Sequence, residues 1–157
     1  MTRLRMSVAL VVWVLLGTPS ADAAAQTTAE EVVATRQLAE QGDAQAQADL
    51  GFMYSAGEGV PQDDVEAIRW YRLAADQGQA RAQYRLSLSY AAGQGVPQDY
   101  VEAHKWANLA ASRATFVDQK IYTEERDFRA KLMSPAELAE AKRRASEWQA
   151  AFDARQQ

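Results

Sequence analysis

The sequence predicts an all-α protein, a solenoid of antiparallel helix pairs closed by cap helices at both ends. Two observations carry that expectation. Residues 42–77 align with 78–113 at an offset of 36, with 20 identities in 36 positions, the signature of a stacked repeat. The hydrophobic fraction, 48% of 157 residues, is dominated by alanine and lacks the alternating Val/Ile/Thr/Tyr runs that strands need.

The elements follow in chain order. Residues 1–25 read as a secretory signal: Arg3 and Arg5, an apolar stretch from Met6 to Leu16, then Gly17, Pro19 and small residues. A run of that length is too short to span a bilayer, which takes about 20 apolar residues. Small-x-small cleavage fits Ala21-Asp22-Ala23 and Ala23-Ala24-Ala25 equally, so the mature chain starts at Ala24 or Gln26, and an uncleaved anchor is the alternative. The expectation is a periplasmic or secreted protein with no stable membrane insertion after cleavage.

Residues 26–157 form the repeat domain. A cap helix at 28–41 ends in Ala39-Glu40-Gln41-Gly42, which matches Ala75-Asp76-Gln77-Gly78. Units 42–77 and 78–113 each read as helix, tight loop, helix. Gly57 and Gly93 stop the first helices, and the Gly-Val-Pro steps 59–61 and 95–97 keep the loops from continuing as helix. Asp63 and Asp99 then stand as N-caps, with Glu66 and Glu102 at the capping-box position. In the second helices Ala67, Trp70, Tyr71 and Ala74, and Ala103, Trp106, Ala107 and Ala110, recur at helical spacing and place both tryptophans in the core. His104 replaces Ile68 and is expected at the boundary of a helix surface.

Two cap helices occupy 114–157. Val117, Ile121, Phe128 and Leu132 mark the first as amphipathic. Ser134, Pro135 and Glu137 start the second, whose stripe Leu138, Ala141, Ala145, Trp148 and Phe152 is apolar.

Composition removes several chemistries. With no cysteine there is no disulfide, thiol nucleophile or Cys-type zinc site, and a single histidine removes a His-rich metal site. Without Arg3, Arg5 and Asp22 the remainder holds 15 basic and 20 acidic residues, so nucleic acid is not the expected partner. Gly-x-Gly-Val-Pro lacks the Lys-Ser/Thr ending of a phosphate loop. Asp63, Asp64 and Glu66 beside that loop resemble a calcium or acid/base cluster, but the second copy replaces Asp64 by Tyr100, so the motif does not need the second acid. No cofactor or metal is expected, and the chain reads as a non-enzyme.

The block Ala-x-Ala-Gln-x-x-Leu-Gly-x-Met-Tyr at 44–54, with Gly-x-Gly-Val-Pro-Gln-Asp and Glu-Ala-x-x-Trp-Tyr-x-x-Ala-Ala at 66–75, resembles the Sel-one-like repeat family. This is a 36-residue relative of the tetratricopeptide repeats. Residues 133–141 also resemble the closing helix of exported bacterial members. The resemblance implies a right-handed α/α superhelix acting as an adaptor or scaffold. Some cysteine-rich relatives bind penicillin or hydrolyse β-lactams, but this chain has neither their cysteines nor a Ser-x-x-Lys pattern.

Positions held identical between units serve shared packing, whereas positions free to differ face outward or toward a ligand. At 100° per residue the outward half of the first helices holds Asp49, Phe52 and Met53 in one unit and Arg81, Tyr84, Arg85, Leu88 and Ser89 in the next. First helices line the concave face of such solenoids, so this set is the candidate groove. Arg81, Tyr84 and Arg85 suit a carboxylate-bearing peptide or a glycan. The expected function is a protein or peptide interaction module of the periplasm or envelope, with cell-wall peptide or glycan as a further partner class. The alternatives are an envelope hydrolase of amidase or β-lactamase type, which needs a nucleophile and base not visible here, and an oligomer component built on the Leu138–Phe152 stripe.

Overall fold

A computed structural model describes residues 21–157, with side chains from residue 29 onward. The expected signal peptide therefore lies largely outside the described residues. Seven helices follow in order among them: α1 (Ala21–Glu40), α2 (Ala44–Ala56), α3 (Asp64–Asp76), α4 (Ala80–Ala92), α5 (Tyr100–Arg113), α6 (Phe116–Lys131) and α7 (Pro135–Arg155). None of the described helices is long and apolar enough to cross a membrane.

α2–α3 and α4–α5 are the two repeated hairpins, and each helix up to α6 packs on its predecessor. Gly57 and Gly93 take the left-handed conformation at φ 71° and 70°, so each first helix ends where the sequence places the stop. Asp63 then accepts from the backbone N–H of Val65 and Glu66, and Asp99 accepts from Val101 and Glu102.

The capping boxes at these two starts do not close. Glu66 pairs with Arg69, while Glu102 pairs with Lys105 and with Arg144 of α7. The N-cap amides are already used, Asp63 N–H donating to the Tyr54 carbonyl and Asp99 N–H to that of Tyr90, each at 2.9 Å, so the two carboxylates turn to nearby cations. The box does close at α7, where the Ser134 N–H donates to Glu137 at 2.8 Å.

The joints between successive units repeat as faithfully as the sequence does. Arg36 donates to the Tyr54 hydroxyl and Arg72 to the Tyr90 hydroxyl, each at 2.7 Å; Gln47 donates to the carbonyl of Ala39 and Gln83 to that of Ala75, each at 3.1 Å. α1 thus presents the contacts of a second helix to the first unit, as the Ala39–Gly42 match implies. Trp70 and Trp106 are both buried.

His104 departs from expectation. It is 2% exposed, in the position that Val32 and Ile68 fill in the preceding turns of the array. Its place in the repeat register outweighs its polarity, because α6 and α7 both pack on α5. Burial is the main cause holding its pKa below that of a free histidine, with Arg126 and Lys142 adding to the effect and Asp127 opposing it.

The two carboxyl-terminal helices use their apolar stripes differently. α7 lays its stripe on α5: Ala141 and Ala145 are buried, Trp148 meets Trp106 edge-on at 5.9 Å, and Phe152 stacks on Trp148. Trp148 also donates to the Asp76 carboxylate at 3.3 Å, so α7 reaches the end of α3. The covered stripe therefore gives no support to an oligomer built on it. In α6 the stripe Val117, Ile121, Phe128 and Leu132 faces solvent, and the only buried side chain is Tyr122, stacked on Tyr84 at 4.3 Å.

Candidate functional site

A concave site lies where unit one meets unit two. The cavity, of about 300 Å³, is lined by Phe52, Ser55 and Ala56 of α2, Gln62, Asp64, Ala67 and Tyr71 around the start of α3, and Arg85, Leu88, Ser89 and Gln94 from unit two. It forms because α2 and α4 are first helices of consecutive units and both end at a left-handed glycine. Their last turns and loops therefore flank the same cleft.

Its walls carry distinct chemistry. The Arg85 guanidinium lies over the Phe52 ring at 5.0 Å, and among the described residues no carboxylate comes within ion-pair distance of it. Asp64 supplies a carboxylate to the same lining. The hydroxyls of Ser55 and Tyr71 share a hydrogen bond of 3.1 Å. Burial pushes the Tyr71 hydroxyl above its ordinary pKa against the opposing pull of Ser55 and Arg85, so it stays protonated at neutral pH. A cation over an aromatic floor, a carboxylate and neutral hydroxyls can bind a zwitterionic or amide-rich chain.

Four of the eight groove residues expected from sequence converge here: Phe52, Arg85, Leu88 and Ser89. Asp49 and Arg81 pair with one another on the surface, in a polar ladder that Gln45 and Gln79 extend. Tyr84 is half covered by Tyr122 of α6.

Met53 is not a groove residue. It is buried with Val32, Ala39, Leu50 and Trp70, because α1 packs over the side of α2 that the helical projection leaves open. Asp64 and Tyr71 were legible as pocket residues, since Tyr100 and Ala107 replace them in unit two. Applying the test of unshared positions to the second helices as well as the first finds both.

Residues 44–79 and 80–114 match the family described as Sel1 repeat. The chain is similar to the crystal structure of c5321, a protective antigen of uropathogenic Escherichia coli strains displaying an SLR fold, at 29% identity and a TM-score of 0.73. That match covers 88% of this chain and 28% of c5321. It is also similar to a Sel1 repeat protein from Oxalobacter formigenes, at 34% identity and a TM-score of 0.55, over 56% of this chain and 25% of that one. The chain thus spans about a quarter of the length of each. No curated protein matches it.

Proposed function

The chain carries two Sel1 repeats and belongs to the Sel1-like repeat family, and from that premise we propose that it is a non-catalytic interaction module of the periplasm or cell envelope. Its ligand is an extended peptide segment, free or part of a protein, held in the cleft between the two units. The observation that carries this reading is the cleft lining: Phe52, Asp64, Arg85, Leu88 and Ser89 sit at positions where the units differ and stay partly exposed, while Tyr71, also unshared, is a buried core residue that brings only its hydroxyl to Ser55 at the cleft wall. Arg85 would take a carboxylate of the peptide, and the Ser55–Tyr71 pair its backbone amides.

Two of the three acids that resemble a catalytic cluster are otherwise engaged, which leaves Asp64 without a paired acid in the cleft and supports a binding role. Asp63 and Asp99 cap helices, and Glu66 and Glu102 hold basic side chains. Export rests on the expected leader at residues 1–25.

Crosslinking in the native envelope followed by capture tests the reading. Arg85→Gln should lower recovery of the partner roughly 10- to 100-fold, the worth of a charged hydrogen bond of about 1.5–3 kcal/mol. Arg69→Gln should leave recovery unchanged, since Arg69 is exposed and outside the cleft lining. Equal recovery from both variants, or hydrolysis of a β-lactam or cell-wall peptide by the purified chain, would overturn it.

A further inference from the structure

α6 shows an apolar stripe with no partner among the described residues: Val117 is 81% exposed, Ile121 48%, Phe128 54% and Leu132 53%. At 100° per residue the four fall within a 60° sector, directed away from Tyr122 and the rest of the array. Grouped apolar exposure of this kind marks an interaction surface.

The spacing indicates what covers it. Intervals of four, seven and four residues make the stripe symmetric about the point between Glu124 and Glu125. We propose that α6 pairs antiparallel with α6 of a second copy of this chain about a two-fold axis through that point. Val117 then meets the second copy's Leu132, and Ile121 meets the second copy's Phe128, each contact occurring twice, as an isologous interface requires.

The charges agree with that register. A two-fold axis across antiparallel helices sets each edge of the stripe against the same edge of the other copy. Lys120 and Asp127 share one edge, both well exposed and paired within α6 to Glu124 and Arg126, and their positions bring each Lys120 within about two residues, roughly 3 Å along the axis, of the second copy's Asp127, which can share these pairs. Glu124, 66% exposed in its side chain, lies beside the axis and faces its own copy. That like-charge contact weakens the pair and keeps it reversible.

A dimer would also carry two inter-unit clefts. Two clefts raise the effective affinity for a surface that displays its ligand repeatedly.

The chain has no cysteine, so single cysteines report the register directly. The protein is purified as its host processes it, and oxidised at concentrations from micromolar to millimolar. Glu124→Cys should cross-link to itself, Val117→Cys alone should not, and Val117→Cys mixed with Leu132→Cys should give the mixed dimer. Sedimentation velocity without cross-linking should show a concentration-dependent dimer that Ile121→Glu abolishes without altering the helical melting curve. Glu124→Gln should tighten that dimer several-fold. A chain that stays monomeric to about 1 mM, a Glu124→Cys variant that does not cross-link, or Val117→Cys that cross-links to itself as readily, would overturn the proposal.

Discussion

Leu73 and Leu109 occupy the same place in two copies of one repeat, yet Leu73 is 43% exposed and Leu109 3%. The difference lies outside the repeat. α7 covers the outer face of α5 with Ala145 and Trp148, whereas the corresponding face of α3 is flanked by the loop through Gly95 and Val96 and touched by α7 only at its end, where Trp148 and Arg155 reach Asp76. Identity between units therefore fixes what a residue packs against inside its own hairpin and at the next joint, and leaves open what covers it from beyond.

The largest test of the joint is Gly95→Ala. A Cβ there would stand 2.3 Å from the Asp64 carbonyl oxygen, at a φ of +68°. Backbone of unit two must then leave backbone of unit one, and stability should fall by about 3 kcal/mol or more in denaturant titration. Gly42→Ala, with nothing within 4 Å of the added carbon, should cost only the strain of its positive φ, about 1 kcal/mol.

Next come the paired leucines. Leu109→Ala should destabilise by about 2–4 kcal/mol and Leu73→Ala by less than about 1, since only the first opens a cavity. Equal losses would mean that α7 does not cover α5 as described.

Alanine at positions 51 and 87 should act with opposite signs. The Tyr71 ring lies 2.7 Å from the carbon that Gly51→Ala would add, so overpacking of about 1–3 kcal/mol outweighs the gain in helix propensity. In unit two Ala107 replaces that ring, and the Ser87 hydroxyl is buried without a hydrogen-bond partner. Ser87→Ala removes an unsatisfied group and should raise the melting temperature by a few degrees.

The smallest effect is pH-dependent and confined to unit two. His104 binds its proton less readily folded than unfolded, mainly because it is buried. The unfolded chain therefore gains the proton first, near pH 6.5, and stability should decline as pH falls below that value. His104→Ile, which restores the residue of unit one, should flatten this part of the profile, whereas a profile unchanged by the substitution would contradict the burial of His104.

Most of the fold was legible because the repeat compares the chain with itself. Helix stops at Gly57 and Gly93, caps at Asp63 and Asp99, and the core tryptophans all follow from positions that occur twice. The misread residues occur where helices come from outside the repeat: Met53 under α1, His104 under α6 and α7, and the apolar stripe of α6, which faces solvent. An amphipathic pattern shows which face is apolar but not whether a neighbour exists to cover it. α7 offers alanines that let a helix approach closely, while α6 sets Glu124 in the middle of its stripe. In the site, the convergence of Phe52, Arg85, Leu88 and Ser89 was legible from unshared positions, and the pairing of Asp49 with Arg81 was not, since it joins different units.

Shared residues build the array, and the unshared residues that line the cleft bind. A photo-crosslinking side chain at Ser89, in the cleft, tests this against the same group at Arg69, on the exposed outer side of α3. Position 89 alone should give a discrete adduct in the native envelope, lost when Arg85→Gln is combined with it. Adducts of equal yield from both positions, or a position-89 adduct indifferent to Arg85→Gln, would contradict it.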